Sequence, residues 1–382
     1  MIKSFAAVTR EIDDPKAAVE EILAALDLAG NLMKNAVGIV SCFSEFIDTG
    51  VVEAVCGALP FDCIGATTCL NAAGGETDQI LFSIIVLTSD DCSFESLIIP
   101  IEEPYREDIG RALGGLLGRP AGRPALFLSY FPLINEVSGD MMLEAIDRAT
   151  GGIPLFGTTA VDHLPDYATS QTICNGKAYR KTLVLGAVYG DVTMDFGVAS
   201  LDGSKIRNQK AIITSSDGNL LIGVNGNTAL EYLEEIGLSR EVLSKGLGFI
   251  PFVVDHRAGT LPVARAIFAL TPEGYVVCGG AMPVNGTLGI GSMDREDVLR
   301  TTQTVLKPLA EKGATILGYS CVARYLILGA RNKAEADAFM EIAGGAPYLY
   351  AYSGGEICPL PDANGRLRNM YHNFTGVFCR LG

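Results

Sequence analysis

Tryptophan is absent from the 382 residues, and histidine occurs three times, at His163, His256 and His372. A His-rich metal centre would need nearly all of them, drawn from distant parts of the chain. Cations are also scarce: 29 lysines and arginines stand against 44 aspartates and glutamates, a net charge of −15. Affinity for nucleic acid rests on cationic neutralisation of phosphates, so this balance argues against DNA or RNA as a partner, and against an anionic membrane surface. Long hydrophobic runs are missing. The apolar stretches at 82–87, 182–188 and 325–330 have the length of buried strands, below the roughly 18–20 residues that span a bilayer. At the N-terminus Arg10, Glu11, Asp13 and Asp14 arrive before a signal-peptide core develops, so the expected location is the cytoplasm, with no membrane insertion.

Ten cysteines are present, yet no C-x-x-C pair occurs, which removes the usual zinc and thioredoxin-type spacings. In a chain of this length they read as reduced, small core residues. Standard enzymatic signatures are missing too. Gly176-Lys177 lacks the remainder of a P-loop. The glycines of Gly286-Thr287-Leu288-Gly289-Ile290-Gly291 come in the wrong order for a dinucleotide site. Gly318-Tyr319-Ser320-Cys321-Val322 lacks the second glycine of a nucleophile elbow. No catalytic or metal-ligating set is assigned.

What is present is a globular composition, 48% hydrophobic and 19% charged with 44 glycines, of a size for two or three domains. Asp14 and Pro15 open a helix whose face carries Ala18, Val19, Ile22, Leu23 and Leu26, with Gly30 as its end. Further helices are expected at 104–117 and at 294–313, the latter kinked by Pro308. Three stretches repeat one pattern: a strand with a terminal serine, a loop, a helix, and a second strand rich in small residues. They are 36–42, 48–59 and 62–68; then 124–130, 138–149 and 153–159; then 314–321, 333–342 and 347–355. Each leads into an apolar strand, at 80–88, 181–189 and 374–381. The pattern places Ser41, Ser129 and Ser320 at equivalent loop entrances. From 192 to 293 the chain is instead rich in strands and turns, with one short helix capped by Asn227 or Thr228. The expected fold is α/β, two fused domains of mixed sheets with packed helices, divided at 1–222 and 223–382.

The last third concentrates the chemistry. Tyr319-Ser320-Cys321-Val322-Ala323-Arg324 sets a thiol and a guanidinium just past a strand. Gly354-Gly355-Glu356-Ile357 sets a carboxylate after two glycines, and His372-Asn373-Phe374-Thr375 precedes the final strand. In this order the three segments resemble the C-terminal half of the FIST family. Upstream, Gly65-Ala66-Thr67-Thr68 and Phe156-Gly157-Thr158-Thr159-Ala160-Val161-Asp162 resemble the two small-residue loops of that family's N-terminal half. Asp217-Gly218-Asn219 followed by Asn225-Gly226-Asn227-Thr228 resembles the junction. The likeness runs from about Ala36, and departs from the family's pattern at Thr158-Thr159, where glycine and other small residues are commoner.

The resemblance implies an intracellular sensory module that binds a small polar ligand such as an amino acid. No kinase, methyl-accepting or cyclase domain fits in 382 residues, so the implied output is a separate signalling protein. Arg324 and Glu356 are the candidate recognition pair, because a guanidinium suits a carboxylate and an acid suits an ammonium. A structural ion pair between them is the other reading. Asn373, Thr375, Gly355, Ser320, Cys321, Thr158, Asp162 and Thr67 complete the candidate ligand set. No cofactor is required, but some family members resemble haem-binding nitric-oxide sensors, for which His372 is the candidate axial ligand. A further alternative is a cysteine enzyme with Cys321 as nucleophile and His372 as base.

Overall fold

Runs of β-branched and aliphatic residues bounded by polar turns form buried strands, and this chain uses them to build the same sheet three times. The computed structural model describes residues 1–134, 137–164, 166–246, 249–255, 262–310 and 314–382. His256 and Gly313 lie outside the described residues.

The first unit contains β1 (Lys3–Thr9), α1 (Pro15–Leu26), β2 (Asn35–Cys42), α2 (Val51–Gly57), β3 (Asp62–Thr67), the hairpin β4 (Asn71–Ala73) and β5 (Glu76–Asp78), and β6 (Phe82–Ser89). The second contains β7 (Ser93–Pro100), α3 (Tyr105–Leu117), β8 (Leu126–Phe131), α4 (Gly139–Thr150), β9 (Leu155–Thr159), the hairpin β10 (Thr172–Cys174) and β11 (Lys177–Tyr179), and β12 (Thr182–Tyr189). The third opens with β13 (Met194–Ala199) and is then interrupted by an inserted sheet. That insert comprises β14 (Arg207–Asp217), β15 (Leu220–Val224), β16 (Asn227–Thr228), α5 (Ala229–Glu235), β17 (Phe252–Asp255), β18 (Val263–Arg265), β19 (Ile267–Leu270), β20 (Val276–Cys278) and β21 (Thr287–Ile290), with a further short helix at Arg240–Gly246. The third unit resumes with α6 (Arg295–Ala310), β22 (Thr315–Cys321), α7 (Val322–Leu328), α8 (Ala334–Ala343), β23 (Tyr348–Ser353), the hairpin β24 (Glu356–Pro361) and β25 (Leu367–His372), and β26 (Gly376–Leu381).

The three sheets have matching strand orders: β1-β6-β2-β3-β10-β11, β7-β12-β8-β9-β24-β25 and β13-β26-β22-β23-β4-β5. In each, one parallel pair (β2 with β3, β8 with β9, β22 with β23) sits at the centre. Each unit lends its hairpin to another. The first pairs onto β23, the second onto β3 and the third onto β9. The fold is mixed α/β, as expected, and the segments on either side of residue 222 share three of its four sheets. Ile222 itself lies within β15.

Strand alternation separates two kinds of core. Inward-facing Ile39, Leu128 and Leu317 belong to one cluster common to all three sheets. The outer faces carry the helices: α1 and α2 over the first sheet, α3 and α4 over the second, α6 and α8 over the third. Burying each Ile, Leu or Phe in these layers contributes roughly 1.5–3 kcal/mol.

Local signals explain most helix starts. Asp14 accepts from the backbone N–H groups of Lys16 and Ala17, with Pro15 at the first helical position. The left-handed turn that ends α1 falls at Asp27, ahead of the expected Gly30. Thr228 and Glu231 form a reciprocal capping box on α5. Pro308 lies in the last turn of α6, where it costs few intrahelical bonds. One expectation is corrected: 325–330 is not a strand, since Tyr325 and Leu326 belong to α7, which buries Ala323, Arg324 and Leu328 on one side. An apolar run of six residues does not by itself distinguish the two periods.

Ser41, Ser129 and Ser320 occupy equivalent central strands. Their faces differ. Tyr130 and Tyr319 point into the common core, where their hydroxyls lie 3.2 Å apart, so the adjacent Ser129 and Ser320 face the outer helices. Ser41, between the outward-facing Val40 and Cys42, faces inward.

Candidate functional site

Arg324 is fully buried, and its guanidinium is saturated by protein groups. Nε and Nη2 donate to Glu335 at 3.1 and 2.8 Å; Nη1 donates to the carbonyls of Ala199 and Phe374 at 3.3 and 3.4 Å. Nη2 also donates to the Val298 carbonyl at 2.9 Å and to Thr302 Oγ1 at 2.7 Å. Glu335, from α8, takes further bonds from Thr302 and from Ser320 Oγ at 2.6 and 2.9 Å. Arg324 and Glu356 are therefore not ion-pair partners, and Arg324 has no free fork for a ligand carboxylate. The carboxylate that meets the guanidinium comes from the outer helix, eleven residues on, instead of from the hairpin. Ser320 goes with it into this structural hub.

Glu356 begins β24, directly opposite Thr158 on β9. Its Oε2 accepts from Thr375 Oγ1 at 2.6 Å, while Oε1 is buried with no partner. Burial raises its carboxyl to about 8, against the opposing pull of Thr375 and the Arg324 charge. Thr158 Oγ1 donates to Ser353 Oγ at 2.7 Å, and Ser353 donates to the Gly355 carbonyl at 2.7 Å. The Cys321 N–H donates to the Thr375 carbonyl at 2.9 Å. Glu356, Thr375, Thr158, Gly355 and Cys321 are thus brought together, with Ser353 added by the structure.

The remaining candidates lie apart. Asp162 holds its own loop by accepting from the N–H groups of Leu164 and Thr169 at 2.7 and 2.6 Å. Thr67 Oγ1 accepts from the Gln171 N–H at 2.9 Å, tying β3 to the second unit's hairpin segment. Asn373 Oδ1 accepts from the Ala266 N–H at 3.3 Å, linking the third unit to the insert, and its Nδ2 is buried without a partner. His372 Nε2 lies 3.0 Å from the Cys358 carbonyl, and burial lowers the ring to about 4. That engaged, buried ring does not fit an axial haem ligand. Nor does it serve as a base for Cys321, whose thiol burial and the Glu356 charge push well above the ordinary range. All ten cysteines are free and buried. Among the described residues no group of three or more His, Cys, Asp or Glu side chains is arranged to hold a metal.

A cavity of about 280 Å³ opens beside the Glu356 cluster, between the second unit and the insert. Its walls come from the loop after β8, the start of α4, the end of β9, and β19 and β20. Leu133, Val137, Phe268 and Val277 supply apolar surface, and Ser138, Thr159, Asn219 and Tyr371 are the polar residues that line it. The Tyr371 hydroxyl lies 3.0 Å from Thr159 Oγ1. Its ring is wedged between two glycines: a Cβ on Gly139 would fall 2.1 Å from the ring, and one on Gly355 would fall 1.9 Å from the hydroxyl. Tyr371 thus separates the cavity from Gly355 and the Glu356 network behind it.

Arg265 locks the insert against this wall. Fully buried, it donates from Nη2 to Asp140 Oδ1 at 2.9 Å, from Nη1 to the Tyr371 carbonyl at 2.8 Å, and from Nε to the Ala281 carbonyl at 3.3 Å. Asp140 Oδ2 in turn accepts from the Ala281 N–H at 2.8 Å. Sequence reasoning missed Arg265, Tyr371 and the cavity itself.

No curated protein matches this chain. Among solved structures, a cyanuric acid hydrolase from A. caulinodans aligns over 99% of this chain and 98% of its own, at 9% identity and a TM-score of 0.40. A second cyanuric acid hydrolase aligns over 100% of both chains at 8% identity and a TM-score of 0.37. Residues 36–227 match the FIST N domain and residues 229–359 match the FIST C domain. The chain belongs to the FIST family.

Proposed function

We propose that this chain is a sensory protein that binds a small ligand in the cavity between the second unit and the insert, and signals through a separate partner protein. FIST domains form a sensory-domain family, and the cavity supplies what such a role needs: a mostly apolar recess with a few convergent polar groups. The observation that carries the reading is its position. Its walls belong to two bodies that Arg265 and Asp140 clamp together, so a ligand that fills it acts on the relative placement of the insert.

The lining favours binding over catalysis. Its one thiol, Cys278, is pushed by burial to about 12, which leaves no nucleophilic thiolate at neutral pH. With Arg324 consumed by Glu335, recognition of the ligand falls to the polar side chains at the cavity, Thr159, Asn219 and Tyr371. The test is thermal stabilisation by small metabolites, compared between the wild type and Ala269→Trp. Ala269 lies on an exposed stretch of β19 at the cavity, where an indole blocks entry without entering the core. Stabilisation that survives the block removes the cavity from consideration.

A further inference from the structure

We propose that the inserted sheet is a hinged lid over the cavity, held shut by the Arg265–Asp140 latch. This names how the site proposed above closes, and rests on that reading. The insert has a core of its own: Ile213, Leu221, Phe252, Val276 and Leu288 belong to one cluster drawn entirely from 211–290. The chain crosses between body and insert twice, at 200–206 and 291–294. Each crossing carries a small pair, Gly203-Ser204 and Gly291-Ser292, of the kind that absorbs backbone rotation at hinges. A Cβ at Gly203 would meet nothing within 4 Å, so the first crossing has room to turn. Ion pairs tie the two crossings together. Lys205 Nζ donates to Asp294 at 2.7 Å and to Asp297, while Arg300 donates to Asp202 at 3.1 Å and to Asp297 at 2.9 Å. Lys205, Asp294, Arg300 and Asp202 are each a third or more exposed, so the network adds little stability. Its effect is to make the crossings bend as one.

The seam between insert and body is built to close in one geometry and to open at small cost. Its apolar cluster joins Ala264 and Ala266 of the insert to Cys321, Ala323 and Phe374, and an alanine methyl buries little surface. Directional bonds do the closing. Arg265 reaches Asp140 and the Tyr371 carbonyl, Asp140 accepts from the Ala281 N–H, and Asn373 accepts from the Ala266 N–H. A buried ion pair regains hydration when its partners separate, which offsets much of the attraction lost. Relative motion is the ordinary behaviour of two cores joined through a polar interface. The latch also adjoins the cavity lining: Asp140 follows Gly139, and Gly280 and Ala281 follow Gly279. Its release therefore parts the walls between which the ligand sits.

Paired spin labels on the full chain read the lid directly. They are attached through Arg148→Cys on α4 and Glu273→Cys in the insert, both exposed positions, while the ten native thiols are buried and stay unlabelled. With the latch intact, one narrow distance is expected. Asp140→Ala removes the acceptor. Gly280→Ala disturbs the latch without deleting either charge, since its methyl would fall 2.3 Å from Asp140 Oδ2. Each should broaden the distribution and lengthen the distance by about 5 Å or more, one strand spacing. Hydrogen exchange in β14 and β15 should stay as slow as in the wild type. An unchanged distance in Asp140→Ala overturns the lid, and if that chain fails to fold, Gly280→Ala decides in the same way. Lost protection in β14 and β15 also overturns it, because the insert then melts instead of swinging. So does a broad distribution with the latch intact. No ligand is added, so each of these outcomes leaves the cavity itself to be judged by the Ala269→Trp block.

Discussion

The hydroxyl of Tyr371 lies 3.0 Å from Thr159 Oγ1, and through that contact the third unit's hairpin closes onto β9 of the second. Tyr371 holds this place because glycine stands on both sides of it, at 139 and 355.

Gly139→Ala should therefore be costly. Its methyl group would fall 2.1 Å from the ring, and overpacking of this kind costs about 1–3 kcal/mol. Tyr371→Phe keeps the ring and removes one hydrogen bond, for a loss of about 1 kcal/mol. Urea unfolding of both variants checks the order: a Gly139→Ala protein as stable as wild type contradicts the wedge.

Arg324 should behave as scaffold. Truncating one partner of a buried ion pair typically costs about 3–5 kcal/mol, because the other charge is left uncompensated. Arg324→Ala is thus expected to lower the unfolding midpoint sharply or prevent folding, and Glu335→Ala should do the same. Glu356→Gln should not. A stable, folded Arg324→Ala chain that has lost only its ligand response would restore the recognition role.

Glu356 and His372 set opposite pH slopes. The Glu356 carboxyl holds its proton to about 8, against a usual 4.5. Its contribution is fully present below 4.5 and is lost as pH rises through about 8. His372, lowered by burial from 6.5 to about 4, contributes above 6.5 and loses that contribution as pH falls toward 4. Between 6.5 and 8 the Glu356 slope stands unopposed by His372, a fall of about 1.4 kcal/mol per pH unit. Glu356→Gln should flatten unfolding free energy across that window. An unchanged slope in the variant would show that Glu356 ionises normally.

The thiols should be inert in the native protein. All ten cysteines are buried, and burial raises Cys42, Cys69, Cys278 and Cys321 well above the ordinary thiol range. Iodoacetamide at neutral pH is expected to label none of them rapidly until denaturant is added, as intact-mass measurement would show. Fast native labelling of Cys321 would reopen the nucleophile reading.

Much of the local structure was legible because its causes are local. The Asp14-Pro15 cap, the Thr228 cap and the three strand–helix–strand units follow from spacing and capping chemistry within a few residues. The hairpin exchange was not, because the pairing of Glu356 with Thr158 joins segments almost two hundred residues apart, and no periodicity encodes a partner strand. The site was half legible. Glu356, Thr375, Thr158 and Gly355 do converge, but the partner of Arg324 is decided by which helix lies over the third sheet. The cavity was hidden altogether, since Ser138, Thr159 and Tyr371 share no motif and Phe268 meets them only when the insert docks.

The most direct test of the central claim is a thermal-shift screen of a metabolite collection, haem included, run on the wild type and on Ala269→Trp in parallel. The account predicts at least one small compound that raises the wild-type melting temperature and leaves that of Ala269→Trp unchanged. A compound that stabilises both proteins equally would contradict it.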